Sequence, residues 1–440
     1  MKNGGRQSAA SAPLRIAYLF QQFPVRTEVF AVSDIAALTA QGHRVSVFTM
    51  KRRPRREAEL LKICGVPGHL PVDRPRLADA LGWVGAMWRW RGPAARLAGQ
   101  IVSSGGRYPV AALQALLCLP RAVAIADRVR ARKYDVVHAF WSRHVGLVLP
   151  LLEARRAKPV RTAFVGAYDL VADDLLVDLT VRAAEAVISH AEANEAYITR
   201  KAAPGAATQI IPRGIPLIPL SEQQDRGPFR CITASALVPS KNVEGVIRAC
   251  AAARATEPRL TLDIFGEGPD RQRLEQFSRL RGFDWVTFRG HISREALFEE
   301  MQASCVFLLL SRKPSERLPN VVKEALWAGC AVISSNSEGI EELLPDATYG
   351  QIVDPAVPGA AEAALQAALS ETDGAARTRR VKARALIEDR FSSGRNMARY
   401  VEMWRQALEA RLRPSRSRAS RPARPRRAPS RSVRQGSQLR

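Results

Sequence analysis

Short apolar runs alternate with segments of helical periodicity along most of the chain. Leu14–Phe20 predicts a buried strand, Val29–Ala40 a helix, and Val45–Met50 the next strand. Similar strand and helix patterns follow from Phe229 onward. Because strands joined through helices lie parallel in a sheet, this order predicts an α/β protein built on parallel sheets.

The most informative stretch is Leu308–Gly329, LLLSRKPSERLPNVVKEALWAG. An apolar strand at Cys305–Leu310 leads into a charged loop that carries Glu316, and a helix follows. Pro319 suits the first helical turn, where the amide that it lacks would have no partner. Apolar residues then recur at helical spacing until Gly329, which predicts a C-terminal cap.

Glu316 and Glu324 bracket this passage from loop to helix, and their placement suits a sugar nucleotide. A carboxylate in the loop can accept hydrogen bonds from sugar hydroxyls, and one on the helix can take the two ribose hydroxyls. The amides of residues 320–322 lie between them, at the positive end of the helix, where a diphosphate would bind. The alternative is that both acids are solvated surface residues.

The composition is that of a globular protein. At 440 residues the chain is long enough for two domains, with 46% hydrophobic and 25% charged residues. We find no uncharged apolar run of about 18 residues that would predict a membrane span, and no apolar core of a signal peptide in the polar first residues. Six scattered cysteines without disulfide or metal spacing indicate reduced thiols in the cytoplasm.

The net charge of +25 is concentrated in two segments. Residues 411–440 hold eleven arginines and no acid, and residues 51–133 hold seventeen Lys or Arg against five acids. The remainder is nearly neutral, which argues against a uniformly basic nucleic-acid-binding protein. The final segment is rich in Arg, Ser and Pro and too polar to fold, so we predict a disordered tail. It could bind anionic lipid or nucleic acid, or only solubilise the chain.

Residues 51–133 also contain tryptophans among long apolar stretches. Trp83, Trp88 and Trp90 are interleaved with arginines. This composition is typical of helices in a lipid headgroup layer, where aromatic residues lie at the boundary and cations meet anionic lipid. Ordinary helices packed on the sheet, with arginines on the wet side, explain the pattern equally well. Stacking on nucleic-acid bases fits less well, because the segment is so apolar.

The stretch around Glu316 resembles the motif E-x-x-P-x-x-x-x-E-A-x-x-x-G of the retaining family 4 glycosyltransferases. Glu316, Pro319, Glu324, Ala325 and Gly329 match it, whereas Arg317-Leu318 replaces the usual Gly-Phe. The segments AVISSNSEGIEELL and YGQIVDP continue the resemblance. It implies the GT-B fold, in which two Rossmann-like parallel-sheet domains face each other across a cleft.

The resemblance also implies a division of the chain. We expect an acceptor-side domain at residues 14–215, which includes the basic segment 51–133, and a nucleotide-sugar-binding domain at residues 227–388. A helix at residues 389–410 would cross back to the first domain. The remaining parts are expected to be a disordered lead-in at residues 1–13 and the disordered tail at residues 411–440.

In the second domain the resemblance assigns further residues to the donor. Lys241 would place its cation on the diphosphate. Ala236 stands where the family has an arginine. The missing charge could come from Arg213, Arg312, Lys313 or Arg317. Glycines after two strands would let the backbone approach the nucleotide. The predicted donor-binding residues are Lys241, Gly266, Gly268, Gly290, Leu318, Pro319, Asn320, Val321 and Glu324.

In the first domain the resemblance gives fewer matches. Thr27 and Glu28 lie in a segment similar to F-P-x-x-S/T-E-x-F and are expected on the acceptor side, with helix capping as the alternative. The usual active-site histidines are replaced, so His138 and His144 are candidates to reach the acceptor, with core or surface roles as the alternative. Asp169 is kept. The expected catalytic residues are Glu316, His138 and Asp169.

The implied activity is transfer of a sugar, with retention, from a UDP- or GDP-linked donor to a glycan or lipid-linked acceptor in cell-surface or exopolysaccharide biosynthesis. No metal or other cofactor is expected, since the sequence shows no acidic metal-binding triplet. We expect a cytoplasmic protein, with the anionic inner face of the membrane as a further partner. The alternatives are a non-catalytic sugar-nucleotide-binding relative and, from the tail alone, a nucleic-acid-binding protein.

Overall fold

The computed structural model describes residues 12–25, 29–52, 70–76, 79–166, 169, 175–221, 226–312 and 318–412. The strands are β1 (Arg15–Phe20), β2 (Arg44–Thr49), β3 (Val72–Asp73), β4 (Val136–Phe140), β5 (Val160–Phe164), β6 (Ala186–Ser189), β7 (Ala207–Ile210), β8 (Gly227–Ala234), β9 (Thr261–Phe265), β10 (Val286–Gly290), β11 (Ser304–Leu309), β12 (Ala331–Ser335) and β13 (Gly350–Val353).

The helices alternate with these strands through most of the described chain. They are α1 (Val29–Ala40), α2 (Ala80–Arg89), α3 (Arg91–Ser103), α4 (Pro109–Ala131), α5 (Val148–Ala154), α6 (Leu175–Ala183), α7 (Glu195–Lys201), α8 (Val243–Arg254), α9 (Arg271–Leu280), α10 (Arg294–Gln302), α11 (Asn320–Ala328), α12 (Ala360–Leu369), α13 (Asp373–Arg390) and α14 (Ser393–Leu412).

The strands form two parallel sheets. The first has the order β3-β2-β1-β4-β5-β6-β7 and the second the order β10-β9-β8-β11-β12-β13. Central strands such as β4 are buried along their whole length, which explains why they appear in the sequence as continuous apolar runs. The strand order reverses between β1 and β4 in the first sheet and between β8 and β11 in the second. The predicted fold class of two Rossmann-like parallel-sheet domains is confirmed.

Helices cover both faces of the first sheet. One face packs against α2 to α6, and the other against α1 and α14. Helix α14 follows the second domain in the sequence, yet Met397, Tyr400 and Trp404 are buried against the first sheet. The end of the described chain therefore completes the core of the first domain.

Two segments connect the domains, and they are bonded to each other. The Ile215 amide donates to the Phe391 carbonyl at 2.7 Å, and the Ser393 amide donates back to the Ile215 carbonyl at 2.9 Å. A side chain on Gly214 would overlap the backbone of Ser392 and Ser393, so only glycine allows this approach. The connection after β7 and the connection between α13 and α14 thus pass between the domains side by side, joined by these hydrogen bonds.

Helices α2, α3 and α4 pack on the first sheet through one face. Trp90 is fully buried there, and its indole N–H donates to a carboxylate oxygen of Asp127 at 2.8 Å. Trp83 is half-buried and Trp88 is 69% exposed. The inner face thus shows the sheet packing that the sequence left as one explanation of this segment. Residues 53–69, within the same predicted segment, lie outside the described residues.

Candidate functional site

Two loops at the carboxyl edge of the second sheet are joined through the backbone. The loop after β8 carries Lys241 at the end of a short 3-10 turn. The loop after β11 reaches it, since the Arg312 amide donates to the Ser240 carbonyl at 2.8 Å and the Ser311 hydroxyl donates to the same oxygen at 3.2 Å. Strand order reverses between β8 and β11, which is where open α/β sheets bind ligands.

Gly266 and Gly268 hold the neighbouring loop against this one. Gly266 has a φ of +127°, and a Cβ there would overlap the Ser235 carbonyl oxygen; a Cβ on Gly268 would overlap the carbonyl of Leu237. The Leu237 amide also donates to the Glu267 carbonyl at 3.0 Å. The fold itself therefore requires these glycines, because two loops of the chain meet backbone to backbone. Contact with a nucleotide, the reason that the sequence suggests, stays a prediction.

Gly290 brings a third strand end into this group. Its carbonyl accepts a hydrogen bond from the Gly266 amide at 2.8 Å. Its φ of +73° is in the left-handed region that glycine tolerates best. The loops after β8, β9, β10 and β11 consequently form one continuous edge, tied by backbone hydrogen bonds.

Helix α11 begins at this edge, close to where the sequence predicts it. Asn320 and Val321 are its first residues, and Pro319 precedes them with φ −57° and ψ 130°. Leu318 has a φ of +48°, which is rare for a residue other than glycine, and its side chain is buried. Gly329 ends the helix with a φ of +96°, as the cap prediction requires. The helix thus presents its positive end to the loops of the second sheet.

Glu324, one turn into α11, is held by an arginine that the sequence motif does not include. Nε of Arg294 lies 2.7 Å and Nη2 lies 2.6 Å from the same carboxylate oxygen, Oε1. Arg294 also donates to the hydroxyl of Ser33 on α1 at 3.3 Å. The Glu324 side chain is 13% exposed, so it is not the solvated surface acid of the alternative explanation. Its carboxylate lies where the two domains meet.

Three predicted site residues, Glu316, Thr27 and Glu28, lie outside the described residues. The segment that carries Glu316 enters after Arg312 and leaves before Leu318, both at the edge of the second sheet. Thr27 and Glu28 directly precede α1. Their assignments to sugar and acceptor stay predictions.

Asp169 joins two loops at the carboxyl edge of the first sheet. Its carboxylate accepts hydrogen bonds from the backbone amide of Gly166, at 3.1 Å, and from that of Ser142. Burial raises the pKa of Asp169 to about 6, although these bonds and the charges of Arg143 and Arg213 oppose the shift. This carboxyl can therefore change its charge just below neutral pH.

The two candidate histidines have different surroundings. His144 is half-buried and starts a 3-10 turn after β4. His138 is fully buried, lies within 6 Å of the rings of Tyr18, Tyr400 and Trp404, and has Nδ1 2.8 Å from the Thr162 hydroxyl. Burial lowers the pKa of His138 to about 3, so the ring is neutral at physiological pH. This is a core histidine, the alternative that the sequence left open.

A charged group between the two sheets was missed from the sequence, apart from Arg213, which was named only as a substitute cation. The Arg213 guanidinium carbon lies 4.7, 5.3 and 4.2 Å from the ring centres of Phe140, Trp141 and Phe164. Lys323 is fully buried and donates to the Arg213 carbonyl at 2.8 Å and to Oδ1 of Asn320 at 3.1 Å.

Asp34 completes this group from helix α1. Burial raises the pKa of Asp34 to about 6, while the charges of Arg213 and Lys323 lower it. Burial, followed by the charge of Arg213, lowers the pKa of Lys323 to about 7. The available signal was a charged residue inside an apolar helical stripe, since Lys323 follows Val322 and precedes Ala325 on the buried face of α11.

Comparison with known proteins gives a family match in the carboxyl-terminal half. Residues 219–385 match the family model described as glycosyl transferases group 1. The GtfA subunit of UDP-N-acetylglucosamine–peptide N-acetylglucosaminyltransferase from Streptococcus agalactiae is 29% identical over 113 residues, which are 26% of this chain and 21% of that protein. The glycogen synthase of Mycobacterium tuberculosis is 27% identical over 214 residues, 48% of this chain and 51% of the relative. The chain thus matches a fifth to a half of the length of these relatives.

Solved structures match over nearly the whole chain. HepE of Anabaena in complex with UDP superposes with a TM-score of 0.63 at 17% identity, covering 89% of this chain and 99% of that one. Sucrose-phosphate synthase from Thermosynechococcus elongatus superposes with a TM-score of 0.60 at 19% identity, covering 90% and 100%. At such identities the likeness shows the fold, which is the GT-B fold of two Rossmann-like parallel-sheet domains.

Proposed function

From the match of residues 219–385 to the glycosyl transferases group 1 model, we propose that the protein is a retaining glycosyltransferase with a nucleotide-sugar donor. The observation that carries the proposal is the meeting of the Lys241 loop, the Arg312 loop and the start of α11 at one edge of the second sheet. This edge offers a cation and helix amides to a diphosphate.

Each side chain at this edge then takes a role. Lys241 and the first amides of α11 stabilise the diphosphate as it leaves, which is the main electrostatic demand of the reaction. Both contacts between Arg294 and Glu324 are to Oε1 of the carboxylate, and we assign Oε2 to the ribose hydroxyls. Glu316 positions the donor sugar. Asp169 orders the acceptor side of the cleft through the amides that it binds.

The donor and the acceptor are proposed by class. The HepE structures contain UDP, one of them with glucose, which supports a UDP-sugar; a GDP-sugar is the other option. The acceptor is a hydroxyl of a glycan or of a lipid-linked glycan, reached from the cytoplasmic side of a membrane. The expectation that transfer needs no metal stays a prediction, which activity in EDTA would test.

The donor assignment is tested by thermal shifts with UDP, UDP-glucose, UDP-N-acetylglucosamine, GDP and GDP-mannose. We expect one nucleotide series to stabilise the wild-type protein. Glu324→Gln should weaken that binding by about tenfold or more, because a buried charged hydrogen-bond acceptor is lost. Glu295→Gln removes an exposed carboxylate next to Arg294 and serves as the matched control. If no nucleotide sugar stabilises the wild type, the proposal fails.

A non-catalytic sugar-nucleotide-binding relative is the second candidate. It is favoured by the burial of His138 and by Ala236 at the position of the family's arginine. It predicts the same thermal shifts without release of UDP or GDP in the presence of acceptor extracts. The nucleic-acid alternative concerns the tail at residues 411–440, of which 413–440 lie outside the described residues. Deletion of 411–440 would abolish such binding and spare sugar transfer.

A further inference from the structure

The outer face of the α2–α4 layer is apolar, although it is turned away from the protein. Ten large apolar side chains are exposed in the described part of the chain, and seven of them lie on these three helices. They are Leu81 (86% exposed), Val84 (68%), Trp88 (69%), Val102 (63%), Val110 (67%), Leu113 (59%) and Leu117 (74%). We call these seven residues the outer apolar face.

The spacing of these residues shows that they are ordered stripes. Leu81, Val84 and Trp88 share one face of α2, and Val110, Leu113 and Leu117 share one face of α4, since both sets follow the i, i+3, i+7 pattern. The opposite face of each helix packs into the first domain through residues such as Ala86 and Ala115. Both helices are therefore apolar on two sides. A solvated surface helix would carry polar residues on the outside.

The sequence interval that carries this face has charges of one sign. The sequence holds no Asp or Glu between Asp79 and Asp127. Arg91, Arg96 and Arg107 are exposed in this interval. The Arg91 guanidinium carbon lies 5.0 Å from the ring centre of Trp88, so a cation and an aromatic ring lie together at the edge of the face.

These observations select one kind of partner. Two copies of this face would bring arginine against arginine with no acid from residues 80–126 to pair with them, which disfavours self-association. A nucleic acid would require stacking aromatics, and the exposed side chains are aliphatic apart from Trp88. An anionic bilayer satisfies both features, because aliphatic side chains enter the acyl boundary while arginines meet the phosphates.

We propose that the outer apolar face of α2–α4 docks on the surface of an anionic lipid bilayer, with Arg91, Arg96 and Arg107 on the headgroups. Helix α4 is the one described helix that is long and apolar enough to cross a membrane, but half of its most apolar window is buried in the protein. It therefore lies along the surface. The inference stands apart from sugar transfer, because vesicle binding needs neither donor nor acceptor.

The test is flotation of the full chain with phosphatidylcholine vesicles that contain or lack phosphatidylglycerol. We expect binding only with phosphatidylglycerol, and a loss of about tenfold in vesicle affinity for Leu113→Glu/Leu117→Glu. Both positions are exposed, so the fold should persist, which circular dichroism checks. Leu280→Glu, at a 79% exposed leucine of the second domain, is the matched control and should bind as the wild type does.

A second readout separates this face from the Arg-rich tail, which contains no tryptophan. Vesicles with brominated lipid should quench tryptophan fluorescence in the wild type, and Trp88→Phe should lose most of that quenching. Equal binding of the double glutamate variant and the wild type would overturn the proposal, since the tail alone would then carry the protein to lipid. Equal binding to neutral and anionic vesicles, or none to either, would overturn it as well.

Discussion

The carboxyl edges of the two sheets are constructed by different means. At the second sheet, the loops are joined by backbone hydrogen bonds, such as those from Leu237 to Glu267 and from Arg312 to Ser240. At the first sheet, side chains do the joining, with Arg213 over three aromatic rings and Asp169 on two amides. The edge of the second sheet should therefore tolerate changes of side chain but not of glycine. The edge of the first sheet should show the opposite sensitivity.

The largest expected effect comes from Gly266→Ala at the second edge. The new Cβ would overlap the Ser235 carbonyl at a φ of +127°, so we expect the free energy of unfolding to fall by about 3 kcal/mol. Urea unfolding measures this. Gly282→Ala is the control, because Gly282 has a φ of +67° with open space around it and should lose only about 1 kcal/mol. Equal losses in the two variants would show that contact between the loops does not matter.

The next effect comes from Arg213→Met at the first edge. Loss of a partly buried cation from three rings should lower the free energy of unfolding by about 2 kcal/mol. Arg200→Met removes an exposed cation that lies 6.0 Å from the ring centre of Tyr197, and should lose about 0.5 kcal/mol at most. Comparable losses would mean that the aromatic cluster does not depend on Arg213.

Arg213→Met should also change how the free energy of unfolding depends on pH. Burial raises the pKa values of Asp34 and Asp169 from 3.8 to about 6. Between these two pH values the native state therefore keeps protons on both carboxyls, whereas the unfolded state has lost them. Their contribution to stability is therefore present below pH 3.8 and lost as pH rises through about 6. Arg213 lowers both pKa values, and we expect Arg213→Met to move this loss to higher pH in urea unfolding across the acid range.

The last prediction concerns Lys323→Met, where the two edges meet, and its effect is read from how the free energy of unfolding changes with pH. The native pKa of Lys323 is about 7 and the unfolded value is 10.5. Between these values the unfolded chain binds the extra proton, so the free energy of unfolding of the wild type rises with pH. Lys323→Met should lack this rise, whereas Lys382→Met, at an exposed lysine, should keep it. A rise that persists in Lys323→Met would assign it to other groups.

The sequence predicts the second edge better than the first, and the reason is physical. Residues near Gly329 and Pro319 specify helix ends through local backbone preferences, so α11 is found within one residue of its predicted start. The apolar run of β1 and the helical pattern of α1 are equally local. Arg213, Asp34 and Arg294 act through partners far away in the chain, and no spacing rule brings such residues together.

His138 shows that distant parts of the chain can also remove a residue from a predicted site. A histidine within an apolar strand suggests a site, but whether its side of the sheet is covered depends on α14, more than 250 residues later in the chain. Tyr400 and Trp404 of that helix enclose the ring. The outer apolar face could not be predicted from the sequence either, because composition alone does not distinguish a buried leucine from an exposed one.

The bonded pair of connections near Ile215 and Ser392 constrains how the cleft can change its width. Because both passages between the domains meet at one point, the domains cannot slide past each other there, and opening must be a rotation about this hinge. The Ser33–Arg294 contact closes the gap away from that pivot. A donor whose ribose binds Oε2 of Glu324 would leave Arg294 on Oε1, so the Ser33–Arg294 contact would still join the two domains beside the filled site.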